Sequence, residues 1–248
     1  MRHFTPKPLP GETARIGLVA LSTDPSVEPE WRAMLPDDDI ALYVSRISYT
    51  SDCTPENLKA MAPDMTRAAS LLAPNLALDT IAYGCTSGTV NIGYEGVVER
   101  IRTARPGIPV STPISGAVSA FRHLGVNKIA VVTPYIDSVN QTISNYLLDE
   151  GIEITGMTGF SLTADNDIAS IPADALMEAA RDVITPETEA VFFSCTALVI
   201  ARDIDGMEAS LGMPVICSNQ AMLWEALRKA NYTKPIAGFG QLMSSTQT

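Results

Sequence analysis

The chain has 248 residues, 46% of them hydrophobic, and a net charge of −11. This acidic balance argues against nucleic acid and anionic membranes as partners. No run approaches the ~18 apolar residues of a membrane span, and the N-terminus lacks the apolar stretch of a secretion signal, so we expect a cytoplasmic protein. The four cysteines form no Cys-x-x-Cys pair, so we expect reduced thiols, no metal and no cofactor.

In the first half of the chain, buried strands alternate with helices. The sequence predicts strands at 15–23, 41–47, 78–83 and 108–112, and helices at 54–72, 88–103 and 113–125. Thr54 is the expected N-cap of the first of these helices, and Pro55 occupies its first helical position. Strands that alternate with helices predict a parallel sheet with helices on both faces.

The second half repeats this pattern. Strands are predicted at 128–135, 153–156, 189–194 and 213–218, and helices at 137–148, 172–183 and 220–230. Ile16 to Cys85 is 69 residues and Ile129 to Cys195 is 66, a spacing that indicates a duplicated half-protein. We therefore predict an α/β protein of two pseudo-symmetric domains, each a doubly wound parallel sheet. The predicted domains are 1–114 with the returning segment 220–248, and 115–219, with the active site in the cleft between them.

Two segments resemble each other closely, and each contains a cysteine. They are 81–88, Ile-Ala-Tyr-Gly-Cys-Thr-Ser-Gly, and 191–198, Val-Phe-Phe-Ser-Cys-Thr-Ala-Leu. In both, an apolar run ends in a small residue and then Cys-Thr, as a buried strand ends before a helix. Ligands of parallel sheets bind at the carboxyl ends of the strands. Four residues just past strands should therefore face one crevice: Cys85, Cys195, Thr23 and Tyr135.

A thiol at a helix N-terminus can have its pKa lowered from ~8.5 toward neutrality, which suits a general acid, base or nucleophile. Hydroxyls and amides beside it could hold a carboxylate or a developing oxyanion. The residues predicted to do so are Thr23, Thr86, Ser87, Tyr135 and Thr196. A single buried cysteine is usually only a small hydrophobic residue, but the matched positions of Cys85 and Cys195 favour a catalytic pair.

The remaining polar candidates receive structural interpretations. Cys53 and Cys217 lack the repeated setting, and we predict structural roles for both. Asp24, Glu28 and Glu30 are interpreted as a solvated loop and helix start.

These segments are similar to the aspartate/glutamate racemase superfamily, whose members have two pseudo-symmetric α/β domains with a cysteine from each. Segments 84–88, 132–135, 194–196 and 214–220 most resemble the maleate cis-trans isomerase branch, which includes the ectoine-utilisation protein A group and the arylmalonate decarboxylases. The resemblance spans roughly Arg15 to Gly240. It implies that Cys85 and Cys195 are the catalytic pair.

Individual residues also indicate which group of this superfamily the chain resembles most. Thr86, Ser87 and Tyr135 match the hydroxyl pocket that holds a carboxylate in the decarboxylases, but those enzymes have glycine at the position of Cys85. Maleate isomerases commonly have Pro-Ser-Ser-Asn after the first strand, where this chain has Leu-Ser-Thr-Asp at 21–24. These departures favour a two-thiol isomerase or racemase of the ectoine-utilisation group.

The sequence therefore predicts a cofactor-independent isomerase or racemase of a small carboxylate, a maleate-like dicarboxylate or an amino-acid derivative. The alternatives are an arylmalonate-type decarboxylase with Cys195 as the protonating acid, an inactive small-acid binding protein, and a redox switch through a Cys85–Cys195 disulfide. Family analogy and the general frequency of symmetric assemblies predict a homo-oligomer.

Overall fold

The computed structural model describes residues 9–36, 40–50 and 52–245. The first half contains strands β1 (Ala14–Leu21), β2 (Ile40–Ile47), β3 (Thr80–Gly84) and β4 (Val110–Ser111). Its helices are α1 (Val27–Met34), α2 (Pro55–Ala60), α3 (Met65–Leu71), α4 (Thr86–Ile92), α5 (Tyr94–Ala104) and α6 (Pro113–Leu124). The strands pair in parallel in the order β2-β1-β3-β4.

The second half repeats this architecture. Its strands are β5 (Lys128–Thr133), β6 (Glu153–Gly159), β7 (Ala190–Phe193) and β8 (Val215–Cys217). Its helices are α7 (Asp137–Asp149), α8 (Asp165–Ala169), α9 (Ala173–Val183), α10 (Ile204–Leu211), α11 (Ser218–Lys229) and α12 (Gly240–Ser244). The strands are parallel in the order β6-β5-β7-β8. Two parallel four-stranded sheets confirm the predicted fold class.

The strand order places a topological switch point in each sheet. The chain leaves β1 toward β2 on one side and returns to β3 on the other, and β5, β6 and β7 repeat this arrangement. Every residue of β3 and β7 is buried, as expected for central parallel strands covered on both faces. A crevice opens where the order reverses, so the ends of β1 and β3, and of β5 and β7, are the natural ligand positions.

The last strand of each half leads into a helix that joins the halves. α11 follows β8 but packs against α6 and against strands β3 and β4 of the first sheet. Gly116 on α6 permits this close approach, because a Cβ there would lie 2.5 Å from the carbonyl oxygen of Ala221. Phe121 on α6 meets Phe192 on β7 edge to face, with ring centroids 5.6 Å apart. The predicted domain boundaries stay a prediction.

Two segments that are each predicted as one helix are interrupted in the structure. The segment predicted as one helix at 54–72 contains α2, a short 3-10 helix at Ala62–Asp64 and α3, because Pro63 cannot donate its backbone hydrogen bond inside a helix. The segment at 88–103 is divided at Gly93, which has a φ of +88° and separates α4 from α5. The predicted N-cap is confirmed, since Thr54 Oγ1 accepts from the backbone N–H of Asn57 at 3.4 Å. Within the described ranges, each helix is too short or too polar to cross a bilayer.

Candidate active site

The two cysteine segments meet at the carboxyl ends of β3 and β7. Cys85 directly follows β3 and Cys195 lies two residues beyond β7. Between them, the Thr196 hydroxyl donates to the carbonyl oxygen of Gly84 at 3.4 Å. Cys85 is 5% exposed and Cys195 is 6% exposed, and both thiols are unbridged. The contact between Thr196 and Gly84 joins the switch-point ends of the two sheets, and each of its two residues is the direct sequence neighbour of a cysteine.

Cys85 is the N-cap of α4. Its Sγ accepts a hydrogen bond from the backbone N–H of Gly88 at 3.2 Å and lies 3.8 Å from Ser87 Oγ. Both contacts favour the thiolate, but burial outweighs them and, together with neighbouring Cys53, raises the pKa of Cys85 to about 12. The prediction that the helix N-terminus lowers this pKa is therefore wrong, because burial has the larger effect.

Cys195 is not followed directly by a helix. Residues 194–200 form a turn and an extended loop, and α10 begins only at Ile204. Cys195 Sγ accepts from the backbone N–H of Ala197 at 3.4 Å and is hydrogen-bonded to the Tyr135 hydroxyl. Burial raises the pKa of Cys195 well above its usual value, although both hydrogen bonds oppose this. Here too the predicted lowering of the pKa is wrong, and for Cys195 no helix N-terminus adjoins the thiol.

Tyr135 lies two residues beyond β5 and close to Cys195. Its backbone N–H donates to Thr133 Oγ1 at 3.2 Å, and the residue is 2% exposed. Besides its bond to Cys195, its hydroxyl is subject to the charges of Cys53 and Cys85, and its pKa is raised mainly by burial. The structure thus brings the Tyr135 hydroxyl into hydrogen-bonding contact with Cys195, one of the two thiols that it is predicted to face.

The other predicted hydroxyl groups have different surroundings. Ser87 Oγ lies between two thiols, 3.6 Å from Cys53 Sγ and 3.8 Å from Cys85 Sγ. Thr86 Oγ1 shares a hydrogen bond of 2.9 Å with Ser218 Oγ at the start of α11. Thr196 bonds to Gly84 as described above, and Thr23 donates to Asp165. Ser87 is therefore the hydroxyl next to Cys85, whereas the Thr86 hydroxyl is engaged by α11.

Cys53 lies next to Ser87, close to Cys85, and the structural role predicted for it stays a prediction. It is buried, its Sγ contacts Ser87, and its backbone N–H donates to the carbonyl oxygen of Thr163 at 3.3 Å. Burial raises the pKa of Cys53 as well. No local pattern could have shown this position, because Cys53 has no counterpart in the second half. Cys217 does have a structural setting: it caps α11 and exchanges backbone and side-chain hydrogen bonds with Gln220.

Asp24 and Glu30 are buried, not solvated as predicted. Asp24 is 3% exposed, and its Oδ1 accepts from the backbone N–H groups of Ser26 at 2.7 Å and Val27 at 2.9 Å. It therefore organises the start of α1. Burial raises the pKa of both carboxyl groups. Glu28 remains partly exposed and pairs with Arg32.

Glu30 connects α1 to the loop beyond Cys195. Its Oε1 accepts from the backbone N–H groups of Ile200 at 2.8 Å and Ala201 at 2.7 Å. Its Oε2 accepts from Asn219 Nδ2 at 2.6 Å, and the same Nδ2 donates to the carbonyl oxygen of Thr196 at 2.8 Å. A first-half carboxylate thus holds the backbone next to the second-half thiol.

Asp165 is a site residue that the sequence analysis missed. It begins α8, is 9% exposed, and its Oδ2 accepts a hydrogen bond from Thr23 Oγ1 of the first half. Thr23, Ala164, Asp165 and Asn166 line a cavity of about 210 Å³. Burial raises the pKa of Asp165, and the bond from Thr23 opposes this. Across the described part of the chain, no group of three His, Cys, Asp or Glu residues could hold a metal ion.

Iodoacetamide should react slowly with Cys53, Cys85 and Cys195 at pH 7. Burial keeps these thiols protonated, and the thiolate is the reacting form. The rate should rise as the pH is raised toward about 10, measured peptide by peptide by mass spectrometry. The urea-unfolded chain is the control, since its thiols regain ordinary pKa values. Rapid labelling of Cys85 at pH 7 would show that the helix N-terminus, not burial, controls its charge.

The two parallel sheets, each with a cysteine at its switch point, agree with the resemblance to the aspartate/glutamate racemase-like class, and the comparisons with known proteins support it. Within that class, the family model of arylmalonate decarboxylase matches residues 91–243, and the chain belongs to this family.

The chain is similar to a maleate isomerase over nearly its whole length and to an arylmalonate decarboxylase over about half of it. It is 27% identical to maleate isomerase of Nocardia farcinica over 241 residues, which is 92% of this chain and 95% of the relative. It is 29% identical to arylmalonate decarboxylase of Bordetella bronchiseptica over 143 residues, which is 56% of this chain and 60% of that protein.

Solved structures show the same fold. A mutant maleate cis-trans isomerase of Nocardia farcinica with a covalently bound succinylcysteine intermediate superposes with a TM-score of 0.86 at 24% identity, covering 94% of this chain and 99% of its own. A liganded arylmalonate decarboxylase with a glycine-to-cysteine and a cysteine-to-serine substitution has a TM-score of 0.82 at 25% identity, with 93% and 98% covered.

Proposed function

We propose that the protein is a cofactor-independent isomerase or racemase of a small carboxylate, with Cys85 and Cys195 acting on the substrate from two sides. The observation that carries this proposal is the meeting of the two cysteine segments, where Thr196 contacts Gly84 at 3.4 Å. The similarity to a maleate isomerase over 92% of the chain supports it. Cytoplasmic location, a homo-oligomeric state and a place in ectoine utilisation stay predictions.

In the cis-trans version, the cycle starts once Cys85 has released its proton to solvent. Its thiolate adds to one carbon of the double bond, and the π electrons move toward the other carbon, which takes a proton from the Cys195 thiol. The new single bond rotates. Cys195 then removes the proton, and the double bond re-forms. The carbon–sulfur bond breaks, and its electron pair leaves with the sulfur of Cys85. At the end of the cycle Cys85 is again a thiolate and Cys195 is again protonated.

In the racemase version, one thiolate removes the α-proton and the opposite thiol donates a proton to the other face. The two cysteines exchange protonation states in each turnover. Both versions place negative charge on the substrate carboxylate. The groups that we propose to stabilise it are Thr23, Thr86, Ser87, Tyr135, Thr196 and the backbone amides beside the cysteines.

Decarboxylation of a malonate-like acid is the second candidate, and the match to the arylmalonate decarboxylase family model favours it. This reaction breaks a carbon–carbon bond, releases CO₂ and returns one proton to the resulting carbanion. It needs a single acid, Cys195. The second thiol, Cys85, is what a two-sided reaction requires and a decarboxylase does not.

The test is an NMR screen in D₂O of maleate, α-amino acids and substituted malonates. We expect isomerisation, or deuterium at the α-carbon, without loss of CO₂. The Cys85→Ala protein should be inactive in this screen. Release of CO₂ from a malonate by both the wild-type and the Cys85→Ala protein would replace the first candidate with the second.

A further inference from the structure

The site contains acidic side chains that have no cationic partner in the part of the chain that the structure describes. Among the described residues, no hydrogen bond or ion pair of Cys85, Cys195, Tyr135 or Asp165 involves arginine, lysine or histidine. The neighbouring cation, Arg46, is engaged elsewhere. Its Nη1 donates to the carbonyl oxygens of residues 21 and 24 at 2.8 Å, and its Nη2 contacts the Glu28 carboxylate. A second substrate carboxylate would therefore meet no positive side chain here.

Asp165 is fixed between the two halves by three anchors. Leu162 donates its backbone N–H to the carbonyl oxygen of Pro134 at 2.7 Å, next to Tyr135. The carbonyl oxygen of Thr163 accepts from the backbone N–H of Cys53 at 3.3 Å. The Asp165 carboxylate itself accepts from Thr23. The loop before α8 thus holds this carboxylate at the 210 Å³ cavity, and the same loop contacts the backbone of Cys53 and of Pro134, the residue before Tyr135.

The charge of Asp165 acts on the whole site. It raises the pKa of Cys53, Cys85 and Cys195, after the larger effect of burial. Asp24, the residue after Thr23, is also buried, and its charge raises the pKa of Asp165 in turn. A buried carboxylate with a single neutral donor is poorly compensated, and a cationic ligand group would satisfy it.

We propose that Asp165 binds an ammonium group of the substrate, so that the substrate is an α-amino acid and not a dicarboxylate. This inference rests on the proposed function, which places the substrate carboxylate at the amides and hydroxyls near Cys85. A second carboxylate at the cavity would face Asp165 with like charge, whereas an ammonium group forms a charge-assisted hydrogen bond there. Asp165 is then the specificity-determining residue.

The experiment uses three ligands that share one skeleton. 2-Aminobutyrate, butyrate and ethylmalonate carry an ammonium group, a hydrogen atom or a second carboxylate on the same α-carbon. Calorimetry on the wild-type protein at pH 7.5 should give an affinity for 2-aminobutyrate at least about tenfold above that for the other two. Equal or tighter binding of ethylmalonate, or no detectable binding of 2-aminobutyrate, overturns the proposal. Preference for ethylmalonate is the result expected if Asp165 is protonated and donates to a carboxylate.

The matched variants are Asp165→Asn and Asp167→Asn, which remove the same charge from the same helix. Asp167 is exposed, so its variant should keep the wild-type ligand order. Asp165→Asn should lose the preference for 2-aminobutyrate and gain affinity for ethylmalonate. Equal effects of the two variants would reduce Asp165 to a structural residue. The wild-type ligand order decides the proposal even if Asp165→Asn fails to fold.

Binding and turnover separate this inference from the proposed function. Deuterium exchange at the α-carbon is measured on the same ligands. If the protein prefers 2-aminobutyrate but exchanges no deuterium, the proposed ammonium site is supported and the proposed isomerase activity is contradicted. If exchange or isomerisation is seen only with dicarboxylates, the proposed isomerase activity is supported and the proposed ammonium site is contradicted.

Discussion

The Cys195→Ser protein should fold normally and lose turnover by about 10³-fold or more. A positioned acid or base contributes roughly 10²–10⁴-fold, and a serine hydroxyl is a much weaker acid than a thiol. Serine fits the space of the buried thiol and can still accept from the backbone N–H of Ala197. The measurement is the rate of isomerisation or α-proton exchange on the substrate that the NMR screen identifies.

The control for this prediction is Cys217→Ser. Cys217 is also a buried thiol at the end of a strand, the edge strand β8, but its Sγ accepts from the backbone N–H of Gln220 as a helix cap. Serine is a preferred N-cap residue, so this protein should keep its stability and its turnover within about twofold. Similar losses of turnover in both variants would mean that the Cys195 effect is structural and that Cys195 is not a catalytic residue.

Local sequence patterns predicted the strands, their parallel sheets and the two cysteine segments at strand ends, because periodicity and strand-end chemistry are short-range properties. Asp165 and Glu30 were missed since their roles depend on partners far along the chain. Thr23 is 142 residues from Asp165, and Ala201 is 171 residues from Glu30. Nothing in a local window indicates such contacts.

The pKa values of the thiols also depend on long-range packing that the local sequence does not show. The sequence correctly placed Cys85 at a helix N-terminus, where local electrostatics favour the thiolate. How deeply the thiol is buried follows from the packing of both halves together, and burial is the larger effect. A prediction from local chemistry alone therefore had the wrong sign.

Glu30→Ala should lower the free energy of unfolding by about 3 kcal/mol, measured by urea denaturation. Three buried donors lose their acceptor, the backbone N–H groups of Ile200 and Ala201 and the side chain of Asn219. Each unsatisfied buried donor costs about 1–3 kcal/mol, and neighbouring costs do not add fully. The control, Glu28→Ala on the same helix, removes partly exposed ion pairs and should cost less than about 1 kcal/mol.

Glu30→Gln isolates the charge of this residue from its shape. The amide oxygen can still accept from the Ile200 loop, but its NH₂ group faces Asn219 Nδ2, a donor. Stability should fall less than in Glu30→Ala. Turnover should still drop, because Asn219 also holds the carbonyl oxygen of Thr196 beside Cys195. Unchanged turnover in both Glu30 variants would show that Glu30 contributes to stability but not to catalysis.

The pH dependence of the Glu30→Gln effect has a defined sign. Burial raises the pKa of Glu30 above 4.5, so above that pH the folded protein keeps a proton that the unfolded chain has lost. Folded-state proton uptake makes stability fall as the pH rises through this window. The wild-type advantage over Glu30→Gln in unfolding free energy should therefore shrink as the pH is raised from 4.5 toward neutrality. An advantage that grows over this range would show that the bonds from Ile200, Ala201 and Asn219 outweigh burial and hold the carboxylate ionised.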